Sequence, residues 1–203
     1  MPMKTATMCL LAILVADPLA GWKYFNPKDG GFRVKTPGVL KKSTREVKAG
    51  TAMTKITLWG IEQDGIAYMV IRSELPPDAV AGGPKKTLDD ARDNGVRNSG
   101  GKLREEKEIE LGGHPGREII LDLPDSRVRG GGIYRSRSYL VGTTHYQVIT
   151  VSPKAAARPD EMTAFLKSFR LNEVKQEQQG DGGTKQSQAS TVEKHHRSAA
   201  TRA

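Results

Sequence analysis

Residues 106–121 constrain the fold more than any other stretch, because they have the pattern of two paired strands. Alternating or apolar runs flank Gly112-Gly113-His114-Pro115-Gly116, and glycine and proline in such a position are typical of a tight reversal between strands. We predict that this stretch forms the central hairpin of a β-sheet, with the reversal at residues 112–116.

Further strands are predicted on both sides of this hairpin. Residues 45–61 form a hairpin across Gly50-Thr51, and residues 66–75 make up the most hydrophobic strand of the first half. Residues 133–141 and 146–151 pair across a turn at residues 142–145. The strands up to residue 75 follow one another as an antiparallel meander.

Two helices are predicted between and after these strands. Residues 86–97 have Thr87 as a candidate N-cap, only a thin apolar stripe, and Gly95 in their interior, which weakens a helix. Pro159–Ser168 is the second helix, and its buried face is formed by Met162, Phe165, Leu166 and Phe169.

The predicted fold class is therefore α+β: an antiparallel β-sheet packed by helices, in a single domain. A length of 203 residues allows one domain of ordinary size with some sequence left over. Aromatic residues cluster at the front of the domain, with Trp22 and Phe32, and at its back, with Phe165 and Phe169. This distribution favours one core that joins both ends of the chain.

The two ends of the sequence differ in composition from the middle. Residues 1–20 carry Lys4 and then an apolar run at 6–16, which is shorter than the ~20 residues of a membrane-spanning helix and typical of a secretory signal. The alternative is a core helix of a cytosolic protein. Residues 172–203 are polar without periodicity, which is typical of disorder. We predict a signal peptide at 1–20, a domain at 21–171, a disordered tail at 172–203, and export to the periplasm or cell envelope with no membrane span in the mature chain.

A group of arginines is the candidate binding site in the sequence. The net charge is +9, and the tail contributes little of it. Arg135 and Arg137 share a strand face by the period of two, and Arg127 and Arg129 lie in the preceding loop. Together with Lys41, Lys42, Arg45 and Lys48 they are a candidate surface for phosphate, nucleic acid or an acidic polymer. The alternative interpretation is an ordinary solvated face.

No catalytic, metal or cofactor site is predicted. The only cysteine is Cys9, so no disulfide forms within the chain. His114 and His145 both fall in predicted turns, and no third ligand stands at a recognisable metal-binding spacing. The glycine turn precedes a strand and not a helix, which argues against phosphate binding there. Arg117-Glu118 are interpreted as a structural ion pair or cross-strand pair that fixes the hairpin, and the alternative is that their charges contact a ligand.

The order of elements resembles the PsbP-like α/β/α sandwich fold, in particular small secreted bacterial proteins of planctomycete type. The resemblance covers about residues 21–171 and is carried by short motifs: Phe32-Arg33-Val34-Lys35-Thr36-Pro37, Leu111-Gly112-Gly113-His114-Pro115-Gly116-Arg117-Glu118, Arg137-Ser138-Tyr139-Leu140-Val141-Gly142, Tyr146-Gln147-Val148 and Phe165-Leu166-Lys167-Ser168-Phe169. It implies a non-catalytic adaptor, by analogy of fold.

Three functional hypotheses follow from the sequence. The first is a non-catalytic binding or scaffolding module of the cell envelope, whose partner is another envelope protein or an anionic polymer. The second is an anion-binding protein that uses Arg127, Arg129, Arg135 and Arg137. The third is a hydrolase, which requires a deep pocket that gathers His114 or His145 with a carboxylate.

Overall fold

The computed structural model describes residues 17–49 and 52–172. Most of the predicted signal, almost all of the predicted tail and the Gly50-Thr51 reversal therefore lie outside the described residues. The strands are β1 (Lys23–Phe25), β2 (Phe32–Thr36), β3 (Lys41–Ala49), β4 (Ala52–Gln63), β5 (Ile66–Glu74), β6 (Lys102–Leu111), β7 (His114–Leu123), β8 (Gly132–Val141), β9 (Thr144–Pro153) and β10 (Arg170–Leu171). The helices are α1 (Pro77–Val80), α2 (Gly83–Ser99) and α3 (Pro159–Ser168), and a single 3₁₀ turn spans Lys154–Ala156.

Seven of these strands form one antiparallel sheet in the order β3-β4-β5-β9-β8-β7-β6. The prediction that the 106–121 hairpin is central is wrong, because β6 is an edge strand and β9 occupies the middle. The residues explain this order: β6 is charged and exposed along nearly its whole length, whereas every residue of β5 and β9 is buried or half-buried. Charged side chains on an edge strand also oppose pairing with other chains.

Helices cover the two faces of this sheet unequally. Helix α2 packs on β7 and β8, and Arg117 of β7 reaches it; we call this side the α2 face. Helix α3 and a small sheet of order β1-β2-β10 pack on the opposite side, which we call the α3 face. The architecture confirms the predicted fold class, α+β with an antiparallel sheet packed by helices.

The core lies on the α3 face and is strongly aromatic. Phe32 of β2 makes edge contact with Trp59 of β4, with ring centroids 5.1 Å apart, and stacks on Phe169 at 5.4 Å. Phe169 also stacks on Tyr139 of β8, at 5.8 Å and an interplanar angle of 3°. These rings are at most 3% exposed. The prediction that the front and the back of the domain share one core is confirmed.

Gly116 has a steric role in this core. It lies opposite Tyr139 in the β7–β8 ladder, and a Cβ at this position would come 2.4 Å from the carbonyl oxygen of Ser138. The glycine therefore lets the Tyr139 ring lie across β7, an arrangement known for strand glycines that pair with aromatic residues. Gly116 was predicted in the turn, and it lies inside the strand instead.

The turns predicted at residues 112–116 and 142–145 are both too long, because each is a two-residue turn in the structure. Gly112 and Gly113 both have positive φ angles, 58° and 79°, so they form a tight turn of the kind that matches strand twist. His114 therefore opens β7 and pairs with Leu111. In the same way β9 begins at Thr144, and His145 lies in the strand. The prediction that both histidines lie in turns is wrong.

Helix α2 begins earlier than predicted. It starts at Gly83, with Pro84 in the first turn, where the ring of proline is compatible with a helix. Thr87 is therefore not the N-cap. Its hydroxyl donates to the carbonyl oxygen of Gly83, at 3.0 Å, one turn earlier. Helix α3 has the predicted bounds, and Met162, Phe165 and Leu166 are buried as predicted.

Candidate functional site

The structure separates the four candidate arginines into two groups. Arg135 and Arg137 share the α3 face of β8, as the strand period predicted. Arg127 lies on the other side of the sheet, at the C-terminal end of α2, where its Nη2 donates to the carbonyl oxygen of Asn98 at 3.2 Å. Arg129 is exposed in the loop before β8. The group does not form one continuous surface.

Arg135 and Arg137 are already engaged within the protein. Arg135 Nη1 donates to Thr163 Oγ1 at 2.6 Å and to the carbonyl oxygen of Pro159 at 3.1 Å, so it fastens α3 to the sheet. Arg137 Nε donates to Glu118 Oε2 at 2.6 Å. An anion at these two arginines has to compete with these contacts. Their assignment as an anion site stays a prediction.

The lysines and the arginine of β3 are distant from this group. Lys41, Lys42, Arg45 and Lys48 lie on the opposite edge of the sheet, with β4, β5 and β9 between them and β8. Strands are spaced by about 4.8 Å, so β3 and β8 are roughly 19 Å apart. Along β3, Lys42 faces Asp29 and the Trp59 ring on the α3 face, whereas Arg45 points to the α2 face.

Arg117 and Glu118 are not a pair with each other. Arg117 lies on the α2 face, with Nη2 2.6 Å from Asp89 Oδ1 of α2 and Nη1 bonded to Glu106 of β6. Glu118 points to the α3 face, where it pairs with Arg137 and with Lys107 Nζ at 3.3 Å. Arg117 and Glu118 thus form ion pairs with neighbouring elements, and these contacts are consistent with the structural role predicted for the two residues.

A cleft on the α2 face has a volume of about 960 Å³. Helix α2 covers β7 and β8 but leaves much of β4, β5 and β9 open. The apolar floor consists of Ile56, Met69, Ile71 and Ile149. Helices α1 and α2 form one wall, with Ala79, Ala91 and Gly95 turned to the cleft. A volume of this size is typical of small-molecule sites.

A shallower groove of about 460 Å³ continues the cleft toward the edge of the sheet. The two share Met69, and the groove adds Leu58, Gly60 and Ala67 from the same face. The cleft and the groove together therefore expose a continuous apolar strip on the α2 face of β4 and β5.

Gly95 is the residue that most clearly marks this cleft. A glycine inside a helix costs about 0.5–1 kcal/mol relative to alanine. No packing contact requires it here, since a Cβ at residue 95 would meet nothing within 4 Å. The missing side chain keeps this part of the cleft wall thin.

His145 lies at the inner end of the cleft and is 6% exposed. Burial lowers the pKa of its imidazole to about 4, so the ring is neutral at pH 7. Its Nε2 is buried without a hydrogen-bond partner among the described residues. Ser73 is its cross-strand neighbour on β5, but no hydrogen bond joins the two side chains. The cleft also contains the carboxylates of Asp78 and Asp90, and neither is hydrogen-bonded to His145.

The structure does not assemble a metal or cofactor site from the residues it describes. Within residues 17–49 and 52–172, no group of three or more His, Cys, Asp or Glu side chains is placed to hold a metal ion. His114, at the start of β7, shares the α3 face with Gly116 and Glu118, whereas His145 of β9 points to the α2 face, so the two histidines do not meet. In the described part of the chain, no helix is long and apolar enough to cross a bilayer.

Sequence reasoning missed the cleft as a site, although two signals for it were present. Gly95 was noted only as a weakness of the helix. Strand β5 is apolar at alternate positions on both faces, with Tyr68 and Val70 on one and Met69 and Ile71 on the other, so both faces need a cover. The thin apolar stripe of α2 was too narrow to cover a seven-stranded sheet.

Comparison with known proteins gives similarities of fold only. No protein-family model matches the sequence, and no curated protein is significantly similar to it. The solution structure of cyanobacterial PsbP from Synechocystis is 14% identical, covers 74% of this chain and 92% of its own, and superposes with a TM-score of 0.49. A crystal structure of a protein of unknown function from Pseudomonas aeruginosa is 8% identical, covers 66% of this chain and 85% of its own, and has a TM-score of 0.35. A PsbP structure is thus among the similar chains.

Proposed function

We propose that this chain is a non-catalytic binding module of the cell envelope, and that its ligand or partner occupies the cleft on the α2 face. The observation that carries the proposal is the cleft of about 960 Å³ beside α2, whose apolar floor is the open part of β4, β5 and β9. Apolar surface left uncovered in a folded domain marks a binding site more often than a packing defect.

The absence of a catalytic step is part of the proposal. Nucleophilic catalysis requires a nucleophile and a base within hydrogen-bond reach of each other. Ser73 and His145 are cross-strand neighbours in the cleft without such a bond, and the low pKa of His145 makes it a weak base. The hydrolase hypothesis therefore has less support than binding.

The envelope location rests on residues 1–20 and on the resemblance to secreted proteins. The apolar run at residues 6–16 follows a positive charge, which is the order found in secretory signals. The anion-binding alternative at Arg127, Arg129, Arg135 and Arg137 is less favoured, because three of the four already bond to the protein itself.

A matched pair of substitutions at one position tests the cleft. Gly95→Leu places a bulky side chain in the open space of the cleft wall and favours the helix, whereas Gly95→Ala adds only a methyl group. We expect small neutral apolar probes such as cyclohexanol and indole to shift the amide resonances of Ile71, Met69 and Ile149 in the wild type and in Gly95→Ala.

In Gly95→Leu these shifts should be lost while the rest of the spectrum shows a folded protein. Shifts that are scattered over the surface, or that persist unchanged in Gly95→Leu, would show that the cleft is not the binding site.

A further inference from the structure

We infer that the cleft binds a single-chain amphipathic anion, with its apolar chain on the floor of the sheet and its anionic head at Arg45. This inference rests on the proposed function, because it names the class of ligand for the same cleft. Three properties of the described residues support it: the order of side chains across the sheet, the charges along the cleft, and the shape of the open strip.

The strand register places polar and apolar groups in rows across the α2 face. Arg45 of β3, Ile56 of β4, Ser73 of β5 and His145 of β9 are successive cross-strand neighbours. The next row on the same face runs through Leu58, Ile71 and Gln147. With strands about 4.8 Å apart, Arg45 and His145 are separated by roughly 14 Å. Arg45 therefore lies at the outer end of the cleft floor, and the neutral His145 lies at its inner end.

The charges along the cleft leave one cation without a partner. Asp90 pairs with Lys86, with 2.6 Å between carboxylate and amine. Asp78 lies in the first turn of α1, on the helical wall of the cleft, and its carboxylate forms no ion pair with any residue of 17–49 or 52–172. His145 is neutral, because burial lowers its pKa to about 4. Arg45 is exposed and forms no ion pair with any residue of 17–49 or 52–172.

The open edge of the strip is also basic. Lys41 lies on the same face of β3 as Arg45, at the far end of the shallower groove, with Glu62 on the same groove. Lys41 and Glu62 carry opposite charges at that end of the groove, and Arg45 is the cation that lines the deeper cleft. An anionic head is therefore favoured at Arg45, and a cationic head is disfavoured.

The shape of the strip favours a narrow ligand. The floor runs from the cleft through Met69 into the shallower groove without a dividing side chain, since Gly60 and Ala67 are small. Helix α2 bounds it on one side only. An unbranched chain lies along such a strip, whereas a branched or globular molecule reaches only its deeper end.

The test compares three probes of equal chain length by isothermal titration below their micellar concentrations: decanoate, decanol and decyltrimethylammonium. We expect decanoate to bind the wild-type protein with one site and to bind more tightly than the other two. Higher salt should weaken decanoate binding and leave decanol binding unchanged.

Two neutralising variants separate Arg45 from general charge. Arg45→Gln removes the cation at the cleft, and Lys48→Gln removes a cation from the same strand on its other face. We expect Arg45→Gln to weaken decanoate about fivefold and leave decanol unchanged, and Lys48→Gln to leave both unchanged. Equal binding of decanoate by wild type and Arg45→Gln, or tighter binding of decyltrimethylammonium, would overturn the inference.

The outcomes also distinguish this inference from the proposed function. If all three probes bind alike and Gly95→Leu abolishes all of them, the cleft is a binding site but not one for anions. If Gly95→Leu leaves every probe bound, or if no probe binds, both fail. If the wild type is a dimer that Gly95→Leu converts to a monomer, with no decanoate bound, the strip is a self-interface and the ligand inference is overturned.

Discussion

Arg117 and Glu118 are adjacent residues of β7 whose side chains form ion pairs on opposite faces of the sheet. The period of two sends Arg117 to α2 and Glu118 to the α3 face, where each meets opposite charges on neighbouring elements. Both side chains are almost completely buried, at 7% and 5% exposure. Their charges are therefore costly to leave unpaired, which makes them structural residues rather than a ligand site.

Loss of Arg117 should destabilise the fold measurably. Arg117→Met removes the more buried of the two arginines that Asp89 and Glu106 share, the other being Arg92, so we expect the free energy of unfolding to fall by about 2–3 kcal/mol. Lys85→Met is the control, because Lys85 pairs with the same Asp89 but is largely exposed, and it should cost at most about 0.5 kcal/mol. Urea unfolding measures both, and equal losses for the two variants would contradict the structural assignment of Arg117.

We expect His145 to make the free energy of unfolding depend on pH between pH 7 and pH 5, which is above the pH range where most carboxylates titrate. The folded protein holds the imidazole neutral with a pKa of about 4, whereas the unfolded chain protonates it near its ordinary value of 6.5. The unfolded state then binds more protons than the folded state as pH falls, so the free energy of unfolding decreases with falling pH. The loss between pH 7 and pH 5 should be about 2 kcal/mol.

Substitution of His145 should flatten this pH dependence. His145→Gln removes the titrating group, and His114→Gln is the control that retains the slope because His145 is still present. Denaturant unfolding at pH 7, 6 and 5 gives the slopes, and an NMR titration of the imidazole in the wild type gives the pKa directly. A wild-type slope that survives in His145→Gln would assign the effect to other groups.

At the scale of the elements, α2 is held to the sheet more by charge than by apolar packing. Only Thr87 and Leu88 are buried in its 17 residues, while Asp89 and Arg92 reach Arg117 and Glu106 on β7 and β6. This mode of attachment leaves α2 against β7 and β8 and off the central strands. The helix therefore forms a wall of the cleft instead of its lid.

Gly95→Ala should stabilise this helix. A Cβ at residue 95 meets nothing within 4 Å, so the gain in helix propensity is not offset by a clash, and we expect the free energy of unfolding to rise by about 0.5–1 kcal/mol. Ala91→Gly, one turn earlier on the same wall, should lower it by a similar amount. Thermal and urea unfolding measure both, and a destabilised Gly95→Ala would mean that the cleft is closed in solution.

At the scale of the whole molecule, one aromatic core ties the beginning and the end of the described domain together. Strand β2 pairs with β1 on one side and with β10 on the other, and Phe32 and Phe169 stack between them. The core lies on the α3 face. The α2 face is covered only in part, and the proposed binding cleft lies there.

Export makes a prediction about the whole chain. If residues 1–20 act as a secretory signal, the protein purified from envelope or periplasmic fractions should begin near Gly21, a position that leaves Trp22 free to pack on Tyr68, 5.1 Å away between ring centroids. Intact-mass measurement of the fractionated protein gives its N-terminus. Recovery of the full-length chain from the cytosol would contradict export.

The sequence by itself determined the parts of the fold that depend on near neighbours. The hairpin at 106–121 and the bounds and buried side of α3 follow from alternation, helical spacing and turn residues, all of which act within a few positions. The exact turn lengths did not follow. Residues 112–116 are rich in glycine and proline throughout, so composition does not distinguish a two-residue turn at Gly112-Gly113 from a five-residue turn. His114 and His145 were misplaced for that reason.

Only the tertiary structure decided which strands are neighbours and what lies between the layers. Strand order depends on contacts between residues far apart in sequence, such as Val70 of β5 with Val148 of β9, and no local pattern encodes them. Because of this long-range pairing, the 106–121 hairpin lies at the edge of the sheet and the four arginines lie in separate groups. The same pairing places Arg45, Gly95 and His145 in one cleft. The candidate site is therefore a product of packing between distant segments. In the sequence it is marked by an unexplained glycine in a helix and by a strand, β5, that is apolar on both faces.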